Sequence, residues 1–427
     1  MASPIAIDLT RLFVSVLRGR PRGIERVDLD YTEALLADTS RDVFGIIAYP
    51  WGPRVLKRAT VEGLAQAVRH IWREDRPLEG DPSLQATRQW LIGGKRTSPR
   101  FRRFLSLPLD IAQLVARTGL KRGDGLAALP QGCLYLNVGQ IGFAVDRATG
   151  WLHQRPDIRV IAFLHDLLPL REPEWFKASS DAYFQKILAR ILARSQTIIL
   201  STRVCADQLR AYAAEQSIAL PRLVIQPLVP SPALAYRGPA DERLRQVPFF
   251  VTTGTIEARK NQLFLLLLWR ENILAGRPMP KLVIAGSRGH GGAEAFDLLD
   301  RCECIKDQVL EAPGLTSPAL MHLLVHSRGL LMPTHAEGFG LPVAEALTLG
   351  VPVVASEHPV LAESSQGLAM LISNQDGPSW LRAIETLASK SPAIHPSPMR
   401  GFVPACGQDI VALVRRIDEG AERPRSI

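Results

Sequence analysis

Glu337-Gly338-Phe339-Gly340-Leu341-Pro342-Val343-Ala344-Glu345 sets two carboxylates eight positions apart, joined by a glycine-containing turn that runs into a helix start. Pro342 suits the first helical position, where its missing N–H would lack a partner in any case. Gly350 suits a left-handed stop, and Pro352 lies just beyond it. Residues 351–355 read as a short buried strand, so the unit is loop, helix, turn, strand. A helix that opens after glycines offers free backbone N–H groups and a positive dipole end, both of which attract phosphate. Glu337 lies in that loop, and Glu345 lies about one helical turn inside. Carboxylates so placed suit hydroxyl donors on either side of a phosphate, such as a sugar and a ribose. A nucleotide diphosphate sugar has that layout. An acid-rich first helical turn gives the same spacing and stays open as the plain alternative.

Upstream, residues 248–262 (PFFVTTGTIEARKNQ) read as an apolar strand, a small-residue turn, the basic pair Arg259-Lys260 and the start of a leucine-rich helix. A strand followed by such a turn and two cations suits a diphosphate clamp. Residues 281–286 (KLVIAG) read as a buried strand, and 287–292 (SRGHGG) as a flexible loop placed to lie over a nucleotide. Thr316-Ser317-Pro318 is a helix start with Ser317 as cap, and residues 330–332 form a strand that delivers the Glu337 loop. Strands and helices alternating at this rhythm indicate a parallel, doubly wound sheet, which binds ligands beyond the carboxyl ends of its strands.

The segment 335–356 (HAEGFGLPVAEALTLGVPVVAS) resembles the E-x7-E signature of retaining glycosyltransferases of family 4, within the large group 1 family. The resemblance implies a GT-B fold: α/β, with two Rossmann-like doubly wound domains facing across a cleft. It implies a donor site of Gly254, Thr255, Arg259, Lys260, Glu337, Gly338, Phe339, Gly340, Leu341 and Glu345. Glu337 would hold donor-sugar hydroxyls, and Glu345 the ribose. Family members commonly carry Gly-Arg-x4-Lys where this chain has Gly254 and Lys260 at the right spacing but Thr255 at the arginine position. The neighbouring Arg259 is the candidate for the missing charge. The form GTxExRKN is similar to that of bacterial mannosyltransferase-like sequences, and by analogy favours GDP-mannose.

The first half carries matching elements. Residues 160–164 read as a buried strand ending at His165-Asp166, and the passage is similar to the family's HDLxPxxxPxxF element. The resemblance gives His165, Asp166 and Glu337 catalytic roles. A strand-end histidine on the cleft side can hydrogen-bond a reacting hydroxyl. The opening RGRPRGIERV resembles an RGxxxGIxRV element on the acceptor side, represented here by Arg22 and Gly23. Asn137 and Gly139, in YLNVGQIGF, are candidates for the cleft wall. Asp28-x-Asp30 copies a metal-binding pattern of the other major glycosyltransferase fold. It falls inside a helical pattern, however, where positions i and i+2 point apart, and no metal is expected.

With 427 residues the chain has room for two domains. The expected division is 1–235 for the acceptor, 236–400 for the nucleotide sugar, and 401–427 as a helix returning across the junction and then a disordered tail. Pro-rich stretches at 227–232 and 238–239 mark the hinge. No apolar run approaches the ~20 residues that span a bilayer. Asp8 and Arg11 interrupt the first apolar stretch, which reads as a strand and not a secretory leader. Five scattered cysteines fit a reducing cytoplasm. Residues 1–240 hold 33 Lys+Arg against 22 Asp+Glu, while the remainder holds 18 against 20, so the basic character belongs to the first half. Basic residues beside Phe101 and Phe104 in 95–122 fit peripheral contact with an anionic inner membrane; a helix packed on its own domain fits equally. No nucleic-acid module is recognisable. Residues 72–94 read as an insertion without assigned role.

The expectation is therefore a metal-independent, cofactor-free retaining glycosyltransferase. It would act on a glycan or lipid-linked acceptor in bacterial surface polysaccharide or lipopolysaccharide synthesis, in the cytoplasm or at the inner membrane's cytoplasmic face. The alternatives are a nucleotide-sugar epimerase of the same fold and a non-catalytic scaffold.

Overall fold

A computed structural model describes residues 2–16, 21–74, 78–95, 123–230, 238, 240–392 and 396–420. Two sheets dominate. The first runs β3-β2-β1-β4-β5-β6-β7, with β1 Ile5–Asp8, β2 Val43–Tyr49, β3 Gly52–Lys57, β4 Leu134–Asn137, β5 Arg159–Leu164, β6 Thr197–Leu200 and β7 Arg222–Ile225. All neighbours are parallel except the edge hairpin β2–β3. The second runs β10-β9-β8-β11-β12-β13 and is wholly parallel, with β8 Phe249–Thr253, β9 Lys281–Ala285, β10 Val309–Glu311, β11 Leu330–Met332, β12 Val353–Ser356 and β13 Met370–Ile372.

The inner strands are short and apolar on both faces, as helices on either side require. Residues of β1, β4, β6 and β12 are buried throughout. Strand order reverses between β1 and β4 in the first sheet and between β8 and β11 in the second. These switch points open crevices at the strands' carboxyl ends, where ligands bind in such sheets. The Gly254 turn follows β8 and the Glu337 loop follows β11, so both leave from one crevice. Asp8 and Asn137 end the two strands at the other.

The C-terminal helix Gly407–Asp418 packs its apolar face, with Ile410, Leu413, Val414 and Ile417 buried, against the helix Gly23–Ala37 beside the first sheet. Asp418 accepts from Ser3 N at 2.8 Å and sits 3.6 Å from Arg41. The last helix is thereby fastened to the chain's start.

The stretch without a sequence assignment is built into the junction. Its helix Pro82–Leu91 is capped by Asp81, whose Oδ1 accepts from Ser83 N and Leu84 N. The same carboxylate's Oδ2 accepts from Thr316 N at 3.0 Å and Thr316 Oγ1 at 2.9 Å, in the second domain. At the other end Lys281 Nζ donates to Trp90 O at 2.7 Å, a cation at a helix C-terminus. Proline, glycine and charge gave this insertion no assigned role in the sequence; Glu74, Asp81 and Arg88 pair with Ser317, Thr316 and Asp241 of the second domain.

Two helix starts shift by one residue. Gly340 (φ 82°) caps Leu341–Thr348, which places Pro342 second, and Thr316, not Ser317, caps the helix Ser317–His326. A threonine oxygen accepting from Ala319 N at 3.3 Å does the capping that serine was expected to do. Asp28 and Asp30 lie inside the helix Gly23–Ala37. Among the described residues no helix is long and apolar enough to cross a membrane. The membrane reading of 95–122 falls on residues 96–122, outside the described residues, as do most of the hinge (231–237 and Pro239) and the tail from 421.

Candidate functional site

The segment around Arg259 and the Glu337 loop meet through backbone first. Thr334 Oγ1 donates to the Arg259 carbonyl at 3.0 Å, and His335 N donates to the same carbonyl at 2.8 Å. Arg259 Nη1 returns a bond to Ala336 O at 2.7 Å. This zipper brings Lys260 Nζ onto Glu337 Oε1 as an ion pair and leaves Arg259 Nη1 3.6 Å from Glu337 Oε2. Burial would push the Glu337 carboxyl up, since it is only 7% exposed, but Lys260 and Arg259 outweigh it and hold its pKa below the ordinary value. Arg259 thus stands beside Lys260 on the same carboxylate, while the Thr255 carbonyl accepts from the Gln262 side chain, Nε2, at 3.1 Å.

Glycine is required at two points here. Gly254 adopts φ 119°, which carries the chain round beneath Lys260. A Cβ at Gly286 would run into the Gly254 carbonyl, so β8 and β9 approach too closely for any side chain. The 287–292 loop lies over the 254–258 turn: Ile256 N donates to Ser287 O and Gly289 N to Ile256 O, each at 2.9 Å.

Facing the Glu337 loop, the first domain presents His165 and Asp166 from the end of β5. His165 is 8% exposed, and burial pushes its pKa down to about 3. Its ring is neutral at physiological pH. Nε2 lies 2.9 Å from Val138 O, and a carbonyl can only accept, so Nε2 carries the hydrogen and Nδ1 is the acceptor. Asp166 Oδ1 accepts from Leu168 N at 3.1 Å, and burial raises its pKa despite Arg259 nearby. A Cβ added at Gly338 would lie 2.7 Å from Asp166 Oδ2. His165-Asp166 and Glu337-Gly338 thus close on each other.

Several closing contacts had no signal in the sequence. Arg26, from the helix Gly23–Ala37, forms an ion pair with Glu345, which is 1% exposed. Glu363 accepts from Arg203 N at 2.6 Å and Val204 N at 3.1 Å, capping the helix Arg203–Glu215 from the other domain. Trp175 stacks on His335 with ring centroids 4.5 Å apart. Arg26 lies within the GIERV element, but only pairing across domains reveals its partner.

Of the expected acceptor-side residues, Arg22 and Gly23 are at the helix start near solvent, and Gly139 packs so tightly that a Cβ would meet Arg11 Cβ at 2.6 Å. Asn137 is different. It is fully buried, accepting from Gln140 N at 2.8 Å and donating to Tyr135 Oη at 3.2 Å, so it shapes the loop instead of lining the cleft. Phe339 and Leu341 are buried apolar supports of the Glu337 loop. Burial raises the pKa of both Asp28 and Asp30, the latter to about 8, which disfavours the charged form a metal ligand needs. Among the described residues no group of three or more His, Cys, Asp or Glu could hold a metal.

Comparison with known proteins gives this frame relatives. Residues 240–390 match the family model described as "Glycosyl transferases group 1". The chain is 26% identical over 247 residues to the serotype-specific mannosyltransferase WbdA of Escherichia coli, covering 55% of this chain and 30% of that protein. It is 26% identical over 210 residues to the O-antigen chain mannosyltransferase B of Escherichia coli, covering 48% and 55%. The matched part thus spans less than a third of the first relative and about half of the second. In three dimensions it resembles sucrose-phosphate synthase from Thermosynechococcus elongatus, with a TM-score of 0.52 and 16% identity, covering 98% and 94% of the two chains. Anabaena HepE, solved with UDP and glucose, gives 0.52 and 15%, covering 98% and 99%. The architecture is the GT-B fold.

Proposed function

We propose that this chain, whose residues 240–390 are a group 1 glycosyltransferase domain, transfers a hexose from a nucleotide diphosphate sugar to a glycan or lipid-linked glycan. One observation carries the reading. Lys260 and Arg259 converge on Glu337 at the second sheet's switch point, directly opposite His165 and Asp166 of the first domain. Folding alone gains little from two cations and a carboxylate in a buried crevice, since desolvation offsets most of their attraction.

Each residue then has a task. Lys260 and Arg259 offset the charge that develops on the leaving diphosphate, the main electrostatic help such a site can give through its own side chains. Glu337 orients donor-sugar hydroxyls, and Glu345 takes the ribose once Arg26 releases it. His165, neutral with Nδ1 as acceptor, receives a hydroxyl hydrogen of the reacting sugar. Asp166 and the Gly338 backbone close the site and limit hydrolysis. Transfer proceeds with retention.

The mannosyltransferase relatives support mannose as the hexose and a bacterial O-antigen-type glycan as product, and the GTxExRKN form supports GDP as its carrier. The excess of basic residues in the first half supports work at the cytoplasmic face of an anionic membrane.

The test is a thermal-shift series with GDP, UDP, ADP, dTDP and CMP in the presence of a chelator, followed by transfer from the matching sugar nucleotide to mannose-terminated oligosaccharides. A shift with GDP and a product one hexose longer, with its anomeric configuration kept by NMR, is expected. A shift with UDP alone would replace the donor. Absence of both shift and product would sink the enzyme reading.

A further inference from the structure

An aromatic platform stands on the first domain, away from the groups assigned so far. β2 runs parallel to β1 with Ile46 opposite Asp8, so Tyr49 lies at the carboxyl edge that also carries Asn137 and His165. The turn into β3 carries Trp51. Its indole lies flat on the Tyr49 ring, with centroids 5.0 Å apart and planes 5° apart, and Phe13 meets Tyr49 edge-on at 5.7 Å. Thr10 Oγ1 accepts from Ala48 N at 3.0 Å, tying this end of β2 to the helix that carries Phe13. The platform is therefore rigid, yet Trp51 remains 70% exposed.

A fixed, exposed indole contributes little to the core. Its value is a large flat face already ordered before a ligand arrives, so little rotamer freedom is lost on binding. Such a face fits the C–H face of a pyranose ring. The location fits as well. Three strand spacings of ~4.8 Å separate β2 from β5, which puts the platform ~14 Å along the edge from His165. That is the reach of a short oligosaccharide. Between the two lies the switch point of β1 and β4, where Arg11 Nε donates to the Gly139 carbonyl. A lipid surface is the less fitting partner. Interfacial anchors present several apolar side chains together, and on the hairpin 43–57 no other large apolar side chain is exposed.

We infer that Trp51, backed by Tyr49, is a distal acceptor subsite that stacks on a sugar ring remote from the one receiving the hexose. The inference rests on the glycosyl-transfer reading, but its test is a binding measurement that does not need turnover. The full chain is titrated with α-mannotetraose, maltotetraose, cellotetraose and free mannose, followed by saturation-transfer NMR and calorimetry. Wild type, Trp51→Ala and Trp51→Phe are compared.

One tetrasaccharide is expected to bind better than free mannose. Trp51→Ala should weaken it about tenfold, the size of an aromatic stacking contribution, and Trp51→Phe should restore most of the loss. The GDP-induced thermal shift should be the same in all three chains. Equal tetrasaccharide affinity in wild type and Trp51→Ala would overturn the inference, as would no binding of any tetrasaccharide by wild type. Trp51-dependent sedimentation with phosphatidylglycerol vesicles, without glycan binding, would replace it with a membrane contact. Tetrasaccharide binding that depends on Trp51, with no nucleotide shift in any chain, would uphold the subsite while removing the donor reading.

Discussion

Arg26 and Glu345 form an ion pair across the cleft, joining the first domain's helix Gly23–Ala37 to the second domain's helix Leu341–Thr348. Burial alone would lower the Arg26 pKa, but Glu345, Asp30 and Glu74 hold it above the ordinary value. The carboxylate assigned to the ribose is thus also the partner of a cation from the first domain. Ribose hydroxyls and Arg26 would compete for the same glutamate.

Removing the cation separates these roles. Arg26→Ala leaves Glu345 buried with a lost partner, which costs roughly 3–5 kcal/mol for a fully buried pair. Arg26 keeps 15% of its side chain exposed, so a cost at the low end of that range is expected in urea unfolding. The stabilisation added by saturating GDP should then grow, because the ribose hydroxyls satisfy a carboxylate that no longer has to give up Arg26. Equal increments in wild type and variant would mean that ribose and Arg26 do not compete.

Lys260→Ala should act on binding and chemistry together. Glu337 loses its nearest cation and keeps Arg259 at 3.6 Å, so its carboxyl pKa rises and the fold weakens. Transfer kcat/KM should fall by about 100- to 1000-fold, the usual loss for one preorganised charge-stabilising group, and most of the nucleotide thermal shift should vanish. Adding Glu337→Gln should recover stability, because no buried charge is left unpaired, but should not recover activity. Full activity in Lys260→Ala would remove the clamp from the mechanism.

The loops of the second sheet were legible because their residues are local in sequence. Glu337 to Glu345 is one loop and one helix turn, and Lys260 lies seven residues after the end of β8. Hydrophobic runs and glycine turns of that kind read directly as strand, loop and helix. The contacts between domains were not legible. Arg26–Glu345, Glu363 on the Arg203 helix, and Asp81 on Thr316 join residues 160 to 319 positions apart. No periodicity encodes such pairings, and the charges involved look like ordinary solvated ones. Asn137 failed for the opposite reason: a polar residue at a strand end suggested a cleft wall, while Tyr135 and Gln140 had claimed its amide.

Gly338→Ala tests closure. The new methyl would lie 2.7 Å from Asp166 Oδ2 and 2.9 Å from Asp166 Cβ, so one domain must retreat. The radius of gyration by small-angle scattering should increase slightly in the presence of donor nucleotide, and kcat should drop about tenfold or more, as small misplacements in an aligned site do. GDP binding should change less than kcat, because Lys260, Arg259 and Glu345 stay together in the second domain. An unchanged kcat would show that Asp166 and Gly338 need not meet during turnover.

His165 predicts a pH dependence of stability. Its native pKa of about 3 lies below the ~6.5 of an unfolded histidine. Between those values the unfolded chain binds the proton and the native chain does not, so stability falls as pH is lowered from 6.5 toward 3. Above 6.5 the contribution is constant. Asp30, kept protonated up to about 8 by burial, contributes the opposite slope from its unfolded pKa upward, so the wild-type curve alone mixes the two. The difference between wild type and His165→Gln isolates the histidine. That difference should rise with pH by about 1.4 kcal/mol per unit, one proton's worth, from near pH 3 to 6.5 and then level off. A flat difference across this range would mean that the native imidazole takes up a proton as readily as the unfolded one. His165 would then titrate near the ordinary ~6.5, so burial would not be what keeps the ring neutral, and acceptance through Nδ1 would already be lost as pH falls through 6.5 instead of surviving to near 3.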